Sequence, residues 1–168
     1  MAGTLKVGTI TTTSGSGNIT IGSGVTVNVN RPSFSAEGTG LTVANSTWTE
    51  MVGSTENFDT DSAYDTSTGR FTVPTGQAGK YYFYYASGMS GNPDDGEKVS
   101  VRLYKNGSGV SRSVVISYVS AANQTTEVGR SYILDLAEGD YVSVYMNHNE
   151  GSSNSDAVVS FGGCKIGA

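Results

Sequence analysis

The sequence predicts an all-β protein built as an antiparallel sandwich or jelly roll, and two observations carry this prediction. Short segments rich in β-branched and aromatic residues alternate apolar and polar positions, which is the period-two pattern of half-buried strands. Turn-forming residues separate these segments, and no segment keeps an apolar stripe of helical period over the roughly ten residues that a helix needs. About nine short strands at this spacing are typical of a sandwich or a jelly roll.

Residues 1–30 differ in composition from the rest of the chain, and we interpret them as an extended N-terminal arm or stem. They are rich in Gly, Ser and Thr, and the segment GNITIGSGVTVNVN alternates Ile or Val with polar residues. This alternation predicts a strand, but one with too few apolar side chains for its own core, so it should be ordered only in an oligomer. A disordered low-complexity tail is the alternative. The pair Arg31-Pro32 closes the arm, since proline suits a strand entry, and residues 31–168 are predicted as the head domain.

The head consists of short predicted strands separated by turn signals. The turns lie at 91–96, at Asn106-Gly107 and at 138–140. Each apolar side chain that such a strand buries stabilises the fold by roughly 1.5–3 kcal/mol. In chain order the strands are PSFSAEG, TWTEMVG, GRFTVP, GKYYFYYAS, KVSVRLYKNG, SVVISYVS, RSYILDLAEGD, YVSVYMN and AVVSFGG. Their alternation makes core candidates of Val99, Val101, Leu103, Leu134, Leu136, Val142, Val144 and Met146.

Composition and charge argue against several classes of function. The formal net charge is −5, and a mildly acidic surface does not favour nucleic acid or anionic membranes, which need clustered Lys and Arg. A single cysteine, Cys164, allows no intrachain disulfide, and the N-terminus lacks the apolar region of a secretory signal. No run reaches the ~18 apolar residues of a membrane-spanning helix. We therefore expect synthesis in the cytosol, no membrane insertion and no nucleic-acid partner.

No catalytic constellation stands out in the sequence. The only histidine, His148, lies in the polar segment MNHNEGSSNSD and is interpreted as a solvated loop residue rather than as part of a Ser-His-Asp triad. Cys164, in FGGCKI, is interpreted as a small buried hydrophobe rather than as a nucleophile. The segment GQAGK at 76–80 lacks the spacing and the hydroxyl of a phosphate-binding loop. The chain is predicted not to be an enzyme, and paired carboxylates for glycoside hydrolysis are the alternative that stays open.

Two acidic clusters are candidates for a Ca²⁺ site. The first comprises Asp59, Asp61 and Asp65, and the second comprises Asp94, Asp95 and Glu97. Carboxylate and carbonyl oxygens are the ligands that Ca²⁺ prefers, although neither cluster has the EF-hand pattern. Asp is also an ordinary turn former, so a role in turns is the alternative. Asp59, Asp61 and Asp65 are taken as candidate ligands of a structural Ca²⁺, and no other cofactor is predicted.

Aromatic residues and a glycine recur at set spacings between Asp59 and Tyr85. The acidic residue is followed five positions later by Tyr, seven positions after that by Phe, and then by G-x-Y-x-F-x-Y. This order resembles the signature of the C1q-like domains, relatives of the tumour necrosis factor fold, and so do VRLYKNG, LDLAEGDYVSV and SFGG further on. The positions that carry the core signature are Tyr64, Phe71, Gly79, Tyr81, Phe83, Tyr85 and Phe161.

The chain departs from the family pattern at three places. The gap between Phe71 and Gly79 is two residues longer, Gly53 stands where the family has Phe, and Lys165 stands where an apolar residue is usual. These departures concern one loop and the last strand rather than the fold.

The resemblance implies a ten-strand jelly roll of the C1q and tumour necrosis factor type that assembles as a tight homotrimer. It also implies ligand binding at exposed loops, no enzymatic activity and, in some members, Ca²⁺. Strict alternation turns Tyr82 and Tyr84 away from the signature face. In the related trimers that opposite face meets the neighbouring subunits, so Tyr82 and Tyr84 are predicted at the trimer interface.

The arm resembles the short N-terminal arms of structural proteins of tailed phages, especially marine ones. The leading hypothesis is therefore a trimeric virion fibre or spike, made in the host cytoplasm, whose arm binds other virion proteins. Its head would contact a glycan or protein of the host surface. The alternatives are a trimeric capsid decoration protein and, from another class, a cellular C1q-like adhesion or lectin module.

Overall fold

The described part of the chain is an antiparallel β-sandwich, which confirms the predicted fold class. The computed structural model describes residues 31–89, 94–122 and 125–168, so the predicted arm, residues 1–30, lies outside the described residues. Residues Arg31–Ala168 form one compact unit. All regular elements in the described ranges are strands, and no helix there is long and apolar enough to cross a membrane.

Twelve strands occur in the described ranges, where the sequence and the family resemblance predicted nine or ten. They are β1 (Ser33–Val43), β2 (Thr49–Met51), β3 (Thr55–Asp59), β4 (Tyr64–Asp65), β5 (Arg70–Thr72), β6 (Gly79–Met89), β7 (Lys98–Lys105), β8 (Ser108–Gly109), β9 (Val115–Tyr118), β10 (Thr126–Leu136), β11 (Tyr141–His148) and β12 (Asn154–Gly167). The additional strands are β3, β4 and β8, short elements that lie outside the nine predicted segments. Strand β8 follows β7 through the turn at Asn106 and Gly107, where both residues have positive φ, at 50° and 74°, as a two-residue hairpin turn requires.

The strands form two sheets that enclose the core. Sheet 1 has the order β10-β6-β12-β1-β3. Sheet 2 has the order β4-β5-β11-β7-β8, with β2 also paired to β11 and β9 also paired to β7. Strand β6, which contains GKYYFYYA, pairs along its length with β10 on one side and β12 on the other, so it lies inside sheet 1 as predicted.

The inner faces of both sheets follow the predicted alternation. Seven of the eight core candidates are buried, namely Val99, Val101, Leu103, Leu136, Val142, Val144 and Met146. Leu134 is only half-buried, although it packs against the core. Leu134 lies on β10, an edge strand of sheet 1, where an inner side chain has a neighbouring strand on one side only.

A carboxylate joins the turn before β11 to the β7–β8 hairpin. Asp140 accepts hydrogen bonds from Lys105 Nζ at 2.7 Å, from Asn106 Nδ2 at 2.7 Å and from the backbone N–H of Ala137 at 2.8 Å. The bond from Lys105 contributes most to lowering the pKa of Asp140 to about 2. The fold therefore stabilises the ionised form of this side chain.

Asp140→Asn is expected to remove part of the acid sensitivity of the fold. Because the folded pKa of about 2 lies below the usual 3.8, the ionised Asp140 stabilises the fold fully above pH ~4, and this contribution is lost as the pH falls towards 2. At pH 7 we expect the variant to lose on the order of 1 kcal/mol. Urea unfolding at several pH values measures this. The exposed Asp95→Asn serves as the control, and equal pH dependence of Asp140→Asn and wild type would contradict the assignment.

Candidate functional site

The aromatic signature residues come together in one buried cluster. Its members Tyr64, Phe71, Tyr81, Phe83, Tyr85 and Phe161 are all buried. Phe34, which no sequence motif singled out, completes the cluster. Its ring stacks on Phe71 with 4.8 Å between centroids, stacks on Tyr64 at 5.1 Å and meets Phe161 edge-on at 4.9 Å. The inward position of Phe34 in the alternation of PSFSAEG was the only signal for it.

The tyrosines of this cluster satisfy their hydroxyl groups inside the fold. Tyr64 donates to the carbonyl of Gly53 at 3.0 Å, and Tyr81 and Tyr85 also donate to backbone carbonyls. Burial raises the pKa of Tyr64, Tyr81 and Tyr85 to about 12. The three phenols therefore stay protonated and serve as hydrogen-bond donors across the physiological range.

Two glycines lie where neighbouring groups leave no room for a side chain. A Cβ at Gly53 would lie 2.8 Å from the Tyr64 hydroxyl, so the Phe of the family pattern has no room at this position. Gly79 starts β6 at a φ of 143°, and a Cβ there would lie 2.3 Å from the Gly167 carbonyl. Both positions need the absence of a side chain because a neighbouring group already occupies the space.

The outer face of sheet 1 carries an exposed apolar patch. Tyr82 and Tyr84 point away from the core and are 38% and 40% exposed, as the alternation predicts. The Tyr84 ring lies over Gly162, where a Cβ would be 2.4 Å from it, and its hydroxyl lies 2.8 Å from Ser35 Oγ. A groove of about 200 Å³ lies between the two tyrosine rings and Phe58. The sheet-1 patch is defined as Phe58, Tyr82, Tyr84, Ile133 and Ile166, all exposed.

Cys164 lies in this groove rather than in the core, which corrects the prediction that it is a small buried hydrophobe. It is half-exposed and pairs directly with Tyr82 across β12 and β6. Residues that face each other across an antiparallel pair share a face of the sheet, so Cys164 must share the outer face with Tyr82. The glycines before it obscured the alternation in the sequence.

A second exposed apolar patch surrounds β9. Val114, Ile116 and Tyr118 are 37%, 48% and 64% exposed, and we call them the β9 patch. Strand β9 pairs with β7 along one side. The sequence predicted the strand but not its exposure, because alternation does not tell which of two faces has a partner.

The predicted Ca²⁺ ligands are engaged in turns. Asp59 accepts from the backbone N–H of Asp61 at 3.1 Å and of Tyr64 at 2.7 Å, and Asp65 accepts from the N–H of Ser67 at 2.8 Å. Asp61 and Asp65 line a cleft of about 440 Å³ that Glu138 also borders. Within residues 31–89, 94–122 and 125–168, no three His, Cys, Asp or Glu side chains converge as a metal site would require. The Ca²⁺ site stays a prediction.

His148 is a buried structural residue, which corrects its interpretation as a solvated loop histidine. Its side chain is fully buried, and its Nε2 lies 3.0 Å from the carbonyl oxygen of Val43. The backbone N–H of Glu150 donates to Nδ1 at 3.3 Å, and Nε2 is the ring nitrogen that donates to the Val43 carbonyl. The misreading arose because β11 and its alternation continue into a segment that looks like a polar loop.

Two antiparallel sheets around a buried aromatic cluster define a protein of the jelly-roll sandwich class. The chain belongs to the C1q domain family, whose family model matches residues 33–164. This match confirms the family resemblance that the aromatic spacings indicated. The resemblance of the arm to tailed-phage proteins stays a prediction.

Solved structures share this fold. The globular domain of the zebrafish complement 1qA protein is 20% identical with a TM-score of 0.57, and the alignment covers 80% of this chain and 97% of that one. The PRD1 vertex protein P5 is 15% identical with a TM-score of 0.56, and the alignment covers 80% of this chain and 96% of that one. At these identities the similarity shows the fold alone. No curated protein matches the sequence.

Proposed function

We propose that this chain is a subunit of a homotrimeric virion structural protein, a fibre or spike whose C1q-like head contacts the host surface without enzymatic activity. One observation carries the proposal: the head exposes two separate apolar patches, one on sheet 1 and one on β9. Large exposed apolar patches commonly mark interaction sites, so both are expected to be covered in the working protein. C1q domains are generally trimeric, which is consistent with covering by further copies of the chain.

Two different patches suit a closed ring of three copies. A ring joins one surface of each subunit to a different surface of the next, whereas a two-fold dimer joins a surface to itself. In the proposed trimer the sheet-1 patch of one subunit packs on the β9 patch of its neighbour. Tyr82 and Tyr84 would then be covered, as the sequence pattern predicted.

The virion role draws its support from the fold and the arm. A vertex protein of phage PRD1 has the same fold, and the predicted arm would bind other virion proteins. A trimeric capsid decoration protein remains a candidate on the same grounds. The complement domain from zebrafish has an equally similar fold, which favours a cellular adhesion or lectin module to the same degree.

Tyr82→Asp and Tyr84→Asp are expected to dissociate the trimer. A carboxylate buried without a partner costs several kcal/mol, so each variant should weaken association at least ~100-fold. Sedimentation velocity should show wild type at three subunit masses at micromolar concentration and the Asp variants as folded monomers.

Tyr82→Phe and Tyr84→Phe are the matched controls, since each keeps the ring and loses only the hydroxyl. Both should remain trimeric, with circular dichroism unchanged in all four variants. A monomeric wild type would contradict the trimer. An Asp variant that sediments as a trimer would contradict a trimer contact through these tyrosines.

Location on particles tests the virion role itself. Purified particles labelled with an antibody against the head should carry the protein at a tail or vertex position in few copies. Dense labelling over the whole shell would favour the capsid decoration protein over the fibre or spike. Absence of the protein from particles would favour the cellular adhesion or lectin module.

A further inference from the structure

The outer face of sheet 2 carries an aromatic cluster that includes none of the β9-patch residues. The rings of Tyr104 and Tyr145 stack with 3.8 Å between centroids, and Trp48 lies 6.4 Å from Tyr104. We call these three residues the aromatic platform. All three are half-buried; Tyr104 and Tyr145 lie on the side of sheet 2 opposite to the core, and Trp48 lies directly before β2. The platform thus presents ring surface that neighbouring residues hold in place.

Charged side chains flank the platform on two sides. On one side Glu50 and Arg70 form a two-pronged ion pair at 2.9 and 3.0 Å, and the Arg70 guanidinium lies over the Tyr141 ring at 4.7 Å. Partial burial acts to raise the pKa of Glu50, but hydrogen bonds and a neighbouring positive charge, those of Arg70 foremost, together hold that pKa below its usual value. The two charges therefore compensate each other.

Arg102 lies on the other side and has no such compensation. Its Nε and Nη2 donate to the carbonyls of Val110 at 3.0 Å and Gly109 at 2.8 Å, and its guanidinium lies 5.8 Å from the Tyr104 ring. A guanidinium has five N–H donors, so these two bonds leave donors for a ligand. No carboxylate in the described part of the chain forms an ion pair with Arg102. A fixed arginine beside aromatic rings is thus available to an anion.

We propose that this face binds a carboxylate-bearing sugar of a surface glycan. The C–H face of the sugar ring packs on the aromatic platform, and its carboxylate binds the Arg102 guanidinium. The inference rests on the proposed contact of the head with a host surface and names its chemistry. Charge complementarity selects an acidic sugar, because Arg102 is a positive charge that forms no ion pair with a carboxylate of the described residues.

The shape of the face favours a sugar over an apolar peptide. None of the platform residues is among the most exposed large hydrophobic residues of the described part of the chain, and the exposed β9 patch, on the strand beside β7, is assigned to the trimer contact. A peptide anchor needs a deep apolar pocket or a broad apolar surface. The platform instead combines ring surface with hydroxyl, carboxylate and guanidinium groups, which matches a ligand that has C–H faces and many hydroxyls.

A panel of immobilised oligosaccharides tests this proposal with the intact trimer. The panel pairs oligomers of uronic acids and of sialic acids with the same oligomers after reduction of the carboxyl group. We expect binding to acidic members and at least a tenfold loss on carboxyl reduction. Because Trp48 is the only tryptophan, its fluorescence should shift when a soluble acidic hit is added. Binding to no acidic member, or equal binding after reduction, overturns the proposal.

Three variants assign the binding to this face. Arg102→Gln should lower, by at least tenfold, the affinity for the acidic oligosaccharide that binds. Trp48→Ala should lower the affinity for every acidic oligosaccharide of the panel. The control Arg112→Gln removes the same charge from an exposed loop and should bind as wild type does. Circular dichroism and sedimentation show whether each variant keeps its fold and trimer. If Arg102→Gln or Trp48→Ala is folded and binds as wild type does, the site is not here.

The glycan-binding test and the test of the virion role can fail independently of each other. A folded trimer found on particles that binds no acidic glycan would leave the virion role in place and remove the glycan site. A protein that is absent from particles but binds acidic glycans through Arg102 would remove the virion role and leave the glycan site in place.

Discussion

Phe83→Ala is expected to lower the free energy of unfolding of the head by about 3–5 kcal/mol, a large part of the ~5–15 kcal/mol by which a typical domain is stable. Phe83 is fully buried, with its ring 5.8 Å from both Phe71 and Phe161 and 6.1 Å from Tyr81. The loss should be large because these neighbours are rings held on separate strands, which cannot all move into the cavity. Urea unfolding at several protein concentrations measures it and separates unfolding from dissociation.

Two controls show whether the cavity is the cause. Phe83→Leu keeps most of the apolar volume and should lose less than about 1.5–2 kcal/mol. Lys80→Ala changes an exposed side chain of the same strand and should stay within about 0.5 kcal/mol of wild type. A loss below about 1 kcal/mol for Phe83→Ala would mean that the aromatic cluster is not the stabilising centre of the head.

Gly79→Ala should have the second-largest effect, a loss of about 2–4 kcal/mol. Its φ of 143° lies in a region that side chains rarely adopt, and the new Cβ would lie 2.3 Å from the Gly167 carbonyl oxygen. That oxygen belongs to the backbone of β12, which pairs with β6, so neither atom can move without breaking strand pairing. Thermal and urea unfolding of the variant measure the loss.

Two other glycines separate the causes of this effect. A Cβ at Gly167 would have no neighbour within 4 Å, so Gly167→Ala should leave the free energy of unfolding nearly unchanged. Gly76→Ala also meets nothing within 4 Å but has a φ of 72°, so it reports the cost of the backbone conformation alone, about 1 kcal/mol. If Gly79→Ala cost no more than Gly76→Ala, close contact with β12 would not be the reason for this glycine.

The errors at His148 and Cys164 have a common physical cause. Both residues follow the alternation of their strands, with His148 inward on β11 and Cys164 outward on β12. Polar neighbours at His148 and glycines at Cys164 obscure this alternation in the sequence, and the composition of a segment does not reveal the environment of a strand residue. In a strand the environment depends on the face, and the face depends on register with the neighbouring strand.

The candidate surfaces could be predicted only in part. The exposure of Tyr82 and Tyr84 followed from alternation within one strand, and the family pattern suggested why they are there. The aromatic platform could not be found this way, because Trp48 directly before β2, Tyr104 on β7 and Tyr145 on β11 lie far apart in the chain. They meet only because β2 and β7 both pair with β11.

The sequence by itself determined the all-β class, the inward and outward faces of most strands, the C1q family and the tyrosine pair on β6. These are local properties, since side chains alternate across a strand whatever its partner is. Only the tertiary structure decided the division into twelve strands, the position of Phe34, the burial of His148 and the assembly of the aromatic platform. Those depend on which strands pair and in which register, and pairing joins residues that no local pattern connects.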